Sequence, residues 1–352
     1  MGRALGQEDA PSVGAGGLEI VRISTEACAT STQCLLDGYT RAMLNSLPDL
    51  CHLATENPAD SLYRISGASN PNAGLGMFAR REIEMGDLIL AERPLAVAPA
   101  ALLDTGSSDL LECLVGSMDE EARGRLLALA NCHNEDACRA LGIFKTNGIG
   151  LGDLLIYGGP VQDHSYVGVF ARASRTNHSC SPNAVYHFDL PSFTLQLRAI
   201  RHLEAGEEIY ISYCDTLLQP TAMRQQALQS YGFRCTCTAC LTSETSDARR
   251  AKIGSCVSLR MATNEIVEMS GEQMNLLELE SLQLMGQYVE HALFLIVAYT
   301  ALGDTANTAV YEEKARRWEI ATRGEHADFR NIQLAREAGL KIAATQSSRR
   351  SD

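Results

Sequence analysis

No run of about 18 or more uncharged apolar residues, the length a membrane-crossing helix requires, occurs in the chain of 352 residues. An excess of basic side chains is missing as well. Lys and Arg number 30 against 43 Asp and Glu, a formal net charge of -13. That balance argues against direct nucleic-acid binding and fits a basic partner. The opening stretch MGRALGQEDAPSVGAGG has no apolar segment of the secretory-signal kind. Without such a signal the 12 cysteines are expected to be reduced thiols, metal ligands or catalytic groups, not a disulfide framework. Large apolar anchors are also scarce where Gly14, Ala15, Gly16 and Gly17 crowd together, and disorder is expected there. What is present suffices for a core: 45% hydrophobic and 21% charged residues are ordinary for a globular protein.

Residues 1–64 read as an N-terminal extension, disordered and then helical from about residue 18, with Leu47-Pro48 as a break. After Tyr63 the texture changes to turn and strand. The stretch from Ala98 to about Ala140 is helical again and has the look of an insertion. Strand character returns at Tyr166-Val-Gly-Val-Phe and in FTLQLRAI, with Leu190-Pro191-Ser192 as a hairpin turn. A short repeat links the two strand regions. ARREIEMGDLIL from Ala79 and AIRHLEAGEEIY from Ala199 both place an aliphatic residue, a Gly, an acid and an Ile at matching offsets. From about Pro220 the chain is helical, with strong patterns in residues 274–304 and 308–324 that resemble tetratricopeptide-type hairpins. SSRRSD at the end is expected to fray, and Arg249-Arg250-Ala251-Lys252 is too short for a nuclear signal.

Cys235, Cys237 and Cys240 form C-x-C-x2-C in YGFRCTCTAC. Zinc takes four thiolate or imidazole ligands at tetrahedral corners, and short spacings let one turn supply several. Three ordinary thiols are the bland alternative, but cysteines rarely crowd so tightly without a metal. A fourth ligand is expected from elsewhere, with Cys180 as the candidate. Cys214 is nearer in sequence but sits in the alternating stretch IYISYC. Cys113, Cys132, His133 and Cys138 match no common zinc module, and helical core cysteines explain them better. Cys28, Cys34, Cys51 and Cys256 read as packing residues.

GLGMFA from Gly74, RTNHSCSPNA from Arg175, GEEIYISYCD from Gly206 and YGFRCTCTAC from Tyr231 together resemble the SET-domain protein lysine methyltransferases, in order and in spacing. The resemblance covers about residues 65–240 and is closest to the SET and MYND branch and to fungal SET proteins. Residues 96–165 hold three Cys and two His, too few for a MYND zinc module.

The resemblance implies an α+β architecture: a SET β fold of small sheets with a pseudoknot (65–216), a helical insertion (about 98–140), a zinc-binding post-SET segment (217–245) and a helical C-terminal region (246–352). It implies S-adenosylmethionine as cofactor, held by Gly74, Leu75, Gly76, Asn147, Asn177, His178 and Phe233. Tyr213 matches the catalytic tyrosine and Tyr231 a second tyrosine that walls the lysine channel. Cys180, Cys235, Cys237 and Cys240 fall on the zinc ligands. The partner implied is a protein substrate, histone or other, with a monomer expected in the nucleus or cytoplasm. Taken singly, Tyr213 and Phe233 would read as core, GLG as a turn and His178 as a buried imidazole; their joint order reverses those readings. The rival reading is an inactive SET-fold scaffold that acts through its helical C-terminal region.

Overall fold

The computed structural model describes residues 17–24, 31–47, 61–106, 108–133, 138–153, 165–254 and 257–351. The start expected to be disordered, together with Cys28, Cys51 and Cys256, lies outside the described residues. In chain order the strands are β1 (Leu18–Ile23), β2 (Thr32–Asp37), β3 (Tyr63–Gly67), β4 (Leu75–Ala79), β5 (Leu88–Glu92), β6 (Ala96–Pro99), β7 (Ile149–Asp153), β8 (Ser165–Val169), β9 (Asn177–His178), β10 (Ala184–Asp189), β11 (Thr194–Ala199) and β12 (Glu208–Ile211). The helices are α1 (Gly38–Ser46), α2 (Ala101–Thr105), α3 (Ser108–Gly116), α4 (Glu120–Leu127), α5 (Arg139–Asn147), α6 (Thr221–Ala227), α7 (Thr238–Leu241), α8 (Ser243–Arg250), α9 (Thr263–Leu279), α10 (Gly286–Leu302), α11 (Thr305–Arg323) and α12 (Arg330–Ser351).

The chain forms two compact units. One comprises residues 1–80, 89–176 and 186–197, the other residues 81–88, 177–185 and 198–352. In the first unit a sheet runs in the order β1-β2-β6-β8-β7. This corrects the expectation of helix from residue 18. LEIVRI and TQCLLD pair antiparallel, from Leu18 opposite Asp37 to Ile23 opposite Thr32. Strand β2 also pairs with β6, so it is covered on both sides, and a short apolar run of that kind carries no period that tells strand from helix. Among the described residues of this stretch, helix is confined to α1, where the Asp37 carboxylate accepts the Thr40 N–H at 2.8 Å and Leu47 closes the last turn.

Helices α2 to α4 make up the expected insertion, and Leu111, Leu114, Val115 and Leu126 pack with Phe144 of α5. The cysteines there need correction. Cys138 is buried and caps α5, its sulfur accepting the Leu141 N–H, but Cys113 and Cys132 are exposed and belong to no core. Cys34 is buried in β2, as a packing residue should be. Strands β10 and β11 form the expected hairpin over Leu190-Pro191-Ser192, where the Asp189 carboxylate accepts the Ser192 N–H at 3.0 Å.

Residues 81–88 and 199–210 of the repeat found in the sequence lie in the second unit, and there its copies meet. Ile83 and Leu203, both fully buried, exchange two main-chain hydrogen bonds of 3.1 and 2.9 Å. Each is followed by the same four-residue turn. Asp87 N–H donates to Glu84 O and Glu207 N–H to Glu204 O, with Gly86 at φ 93 and Gly206 at φ 86. A positive φ at the third position is what a type II turn requires, and glycine adopts it without strain. The acid after each glycine then accepts the N–H of the turn's first residue, Asp87 from Glu84 and Glu207 from Glu204.

In the C-terminal part α10 packs against α9, α11 and α12. The first helical pattern read from the sequence is divided between α9 and α10, because the chain turns after Leu279 and Ser281 takes φ 52. Residues 347–351, expected to fray, continue α12. No described helix is long and apolar enough to cross a membrane.

Candidate active site and metal centre

The chemistry-bearing residues of the second unit converge on β9 and β12. These pair in parallel, Tyr210 opposite Asn177 and Ile211 opposite His178. The pairing stops after two residues because Ser179 and Ser181 fold onto each other and Pro182 has no N–H to offer. Asn183 then takes the place of a strand partner. It is 1% exposed, donates its amide to Glu208 O at 2.8 Å and to the Glu207 carboxylate at 3.0 Å, and accepts the Tyr210 N–H at 2.7 Å. The sequence suggested only a turn at Ser181-Pro182-Asn183. The structure makes Asn183 the lock between the two motif segments.

His178 is held at both ring nitrogens. Its Nδ1 accepts the Tyr213 N–H at 2.9 Å, so the neutral ring carries its proton on Nε2, which lies 3.4 Å from Cys180 Sγ. Burial pushes its pKa down to about 4, against an opposing pull from Cys237. It is therefore neutral near pH 7.

Around His178 stand Tyr213, Tyr231 and Phe233. Ring centroids are 5.4 Å apart for His178 and Tyr213, 4.9 Å for Tyr213 and Tyr231, and 6.2 Å for His178 and Phe233. Gly232, at φ 69, separates Tyr231 from Phe233. Phe233 keeps 38% of its surface exposed, a free aromatic face at the rim of an otherwise packed group. The Asn177 amide donates to the Glu208 carboxylate at 2.9 Å, and the Tyr210 hydroxyl donates to the same carboxylate at 2.7 Å.

Two residues beyond His178, the Cys180 sulfur joins those of Cys235, Cys237 and Cys240, all four within 4.8 Å of one another. This is the one such cluster among the described residues. Four sulfurs on a short turn and a distant loop are the donor set of a structural zinc site. The neighbours suit it. Gln225 grips Cys235 through two hydrogen bonds, giving at 2.8 Å and receiving at 3.0 Å. The Arg224 side chain is wholly buried and its Nε has no hydrogen-bond partner, while the Asp247 carboxylate, and after it the thiols of Cys180 and Cys240, hold its pKa up. A cation beside four sulfurs offsets the negative charge that thiolates would leave on a divalent ion. Hydrogen bonds from Cys180 and its other partners lower the pKa of the Cys237 thiol, while the same contacts and burial raise that of Cys180.

Gly74, Leu75, Gly76 and Asn147 belong to the first unit. Gly74 has φ 72 and opens β4, and Leu75 is 44% exposed. Asn147 is buried, and its amide donates to Ala130 O at 2.6 Å and Ile143 O at 2.8 Å. Sequence reasoning missed Asn183, Arg224, Gln225, Glu208 and Arg250. In the sequence Arg250 stands with Arg249 and Lys252 in a short basic cluster. Instead it is 1% exposed, and Arg249 pairs with Glu280, so no free basic patch exists there.

A family model described as the SET domain matches residues 74–214. Histone-lysine N-methyltransferase set5 of Schizosaccharomyces pombe is 29% identical over 188 residues, 52% of this chain and 54% of that protein. Histone-lysine N-methyltransferase SMYD3 of Mus musculus is 42% identical over 78 residues, 22% of this chain and 18% of its own. N-lysine methyltransferase SMYD2-B of Xenopus laevis is 37% identical over 82 residues, covering 23% and 18%. The chain thus spans about half or less of the length of these curated relatives.

Proposed function

We propose, because a SET-domain family model matches residues 74–214, that the protein is an S-adenosylmethionine-dependent protein-lysine N-methyltransferase with a structural zinc on Cys180, Cys235, Cys237 and Cys240. The observation that carries this reading is the joining of Tyr213 to His178 by a 2.9 Å hydrogen bond, inside a ring cluster two residues from the four sulfurs.

S-adenosylmethionine, when bound, supplies a methyl group on a positively charged sulfur. A lysine must then present a neutral amine, since an ammonium has no lone pair. Tyr213, Tyr231 and Phe233 offer aromatic walls that disfavour the charged form and lower the lysine pKa. The Tyr213 hydroxyl orients the amine, and alignment of the reacting atoms supplies most of the remaining advantage. His178 is no general base here, for both its nitrogens are engaged, and the amine proton leaves to water. His178 would meet the cofactor through its main chain, and Phe233 through its exposed face. The family motif assigns Gly74, Leu75, Gly76 and Asn147 to the same cofactor. With its amide hydrogens engaged, Asn147 would contribute an oxygen. Histones are the substrate class to try first: two of the relatives are named for histone lysine, and a net charge of -13 suits a basic partner.

The test is calorimetric titration with S-adenosylmethionine, followed by incubation of the protein with labelled cofactor and mixed histones. Binding and transfer of label to lysine are expected. Absence of cofactor binding would leave the scaffold reading in possession.

A further inference from the structure

Arg250 sits at the end of α8 with none of its side chain exposed. Its guanidinium is fully employed. Nε donates to Glu280 at 2.9 Å and to Ser246 Oγ at 3.1 Å, Nη1 to Leu217 O, and Nη2 to Cys180 O at 2.9 Å and Ser181 Oγ at 3.0 Å. Glu280, at the end of α9 and also buried, takes in addition the Ser246 hydroxyl at 2.6 Å and the Arg249 Nε. Arg250, anchored by Glu280, reaches from the C-terminal helices to the main chain at Cys180, after His178, and at Leu217, after Tyr213.

A buried ion pair is a poor device for stability alone, because desolvation of both ions offsets most of their attraction. Well-packed apolar residues would serve the helices as well. They could not hold the carbonyls of Cys180 and Leu217. We propose that Arg250 and Glu280 are a positioning pair: the helical C-terminal region fixes, through them, the main chain that presents the Cys180 ligand and the His178 ring. Its bearing on catalysis rests on the methyltransferase reading; its bearing on the metal does not.

The discriminating variant is the double substitution Arg250→Met with Glu280→Leu in the full-length, zinc-loaded chain. Apolar replacement removes the desolvation of both ions but leaves the Cys180 and Leu217 carbonyls without their donor, so the thermal midpoint falls modestly while the chain stays folded at the assay temperature. Zinc release to a chromogenic chelator then quickens about tenfold, the scale of lost outer-sphere support. The dissociation constant for S-adenosylmethionine rises by a similar factor, while KM for a lysine peptide stays within about twofold. A folded double variant that keeps both zinc and cofactor as firmly as the unaltered protein overturns the proposal. Should the double variant not fold, Glu280→Gln is measured in its place. It preserves shape but strands the arginine charge, and an unchanged zinc-release rate there overturns the proposal equally. If the unaltered protein binds no cofactor, the methyltransferase reading fails while zinc release still decides the clamp.

Discussion

At Tyr213 two functions share one residue. Its N–H orients His178 and its ring packs on Tyr231, so the hydroxyl is separable from the fold. Tyr213→Phe is expected to keep zinc and its thermal midpoint yet lose about a hundredfold in turnover, the cost of poor alignment. Undiminished methylation of a histone substrate by that variant would remove Tyr213 from the chemistry. Asn183 is the opposite case, structural throughout. Asn183→Ala leaves the Tyr210 N–H and the Glu208 carbonyl without their side-chain partner, which costs about 3 kcal/mol. A urea midpoint within error of the unaltered protein would contradict that role. The motif residues were legible because their order is specific. Arg250 was not, since a sequence shows a charge but not whether two carbonyl and two hydroxyl oxygens await it.

Among the elements, the twin turns were legible as a repeat of a dozen residues, although nothing in the letters said that the copies would bond to each other. Gly206 has open space where a Cβ would stand, whereas at Gly86 a Cβ would touch Ile320 Cγ2 at 3.4 Å. Gly206→Ala therefore isolates the cost of a positive φ, about 1–2 kcal/mol, and Gly86→Ala should cost the same, since 3.4 Å is ordinary contact. Chemical denaturation of the two variants side by side checks this; a free-energy change near zero at either would mean the turn relaxes. Strands β1 and β2 were misread as helix because short apolar segments suit either. The break between α9 and α10 was hidden for a related reason: apolar residues continue across it, and only the positive φ of Ser281 marks the turn.

For the molecule as a whole, the decisive prediction concerns metal. Elemental analysis is expected to find one zinc per chain, and Cys180→Ser to lose most of it. The sulfurs adjoin the same apolar core as Leu277, Leu282, Tyr288 and Leu295, so chelation should lower the thermal midpoint and not merely silence a loop. A zinc-free protein with an unchanged midpoint would sink the four-cysteine centre. The α+β class, the helical insertion and the meeting of Cys180 with Cys235, Cys237 and Cys240 could all be anticipated from residue order. The assembly of one compact unit from residues 81–88, 177–185 and 198–352 could not, because it depends on which distant segments meet.

The bond between Ile83 and Leu203 also bears on how such a chain can vary. It closes a long loop of polypeptide with a two-hydrogen-bond clasp, and inside that loop lie α2, α3 and α4. The entropy lost on closing a flexible loop grows only with the logarithm of its length, so doubling the enclosed chain costs about 0.6 kcal/mol. The clasp is thus nearly indifferent to cargo. As far as closing the clasp is concerned, chain can be added between its two halves at little entropic cost; the burden of any change there falls on the packing of the enclosed helices, such as Leu111 and Leu126 against Phe144.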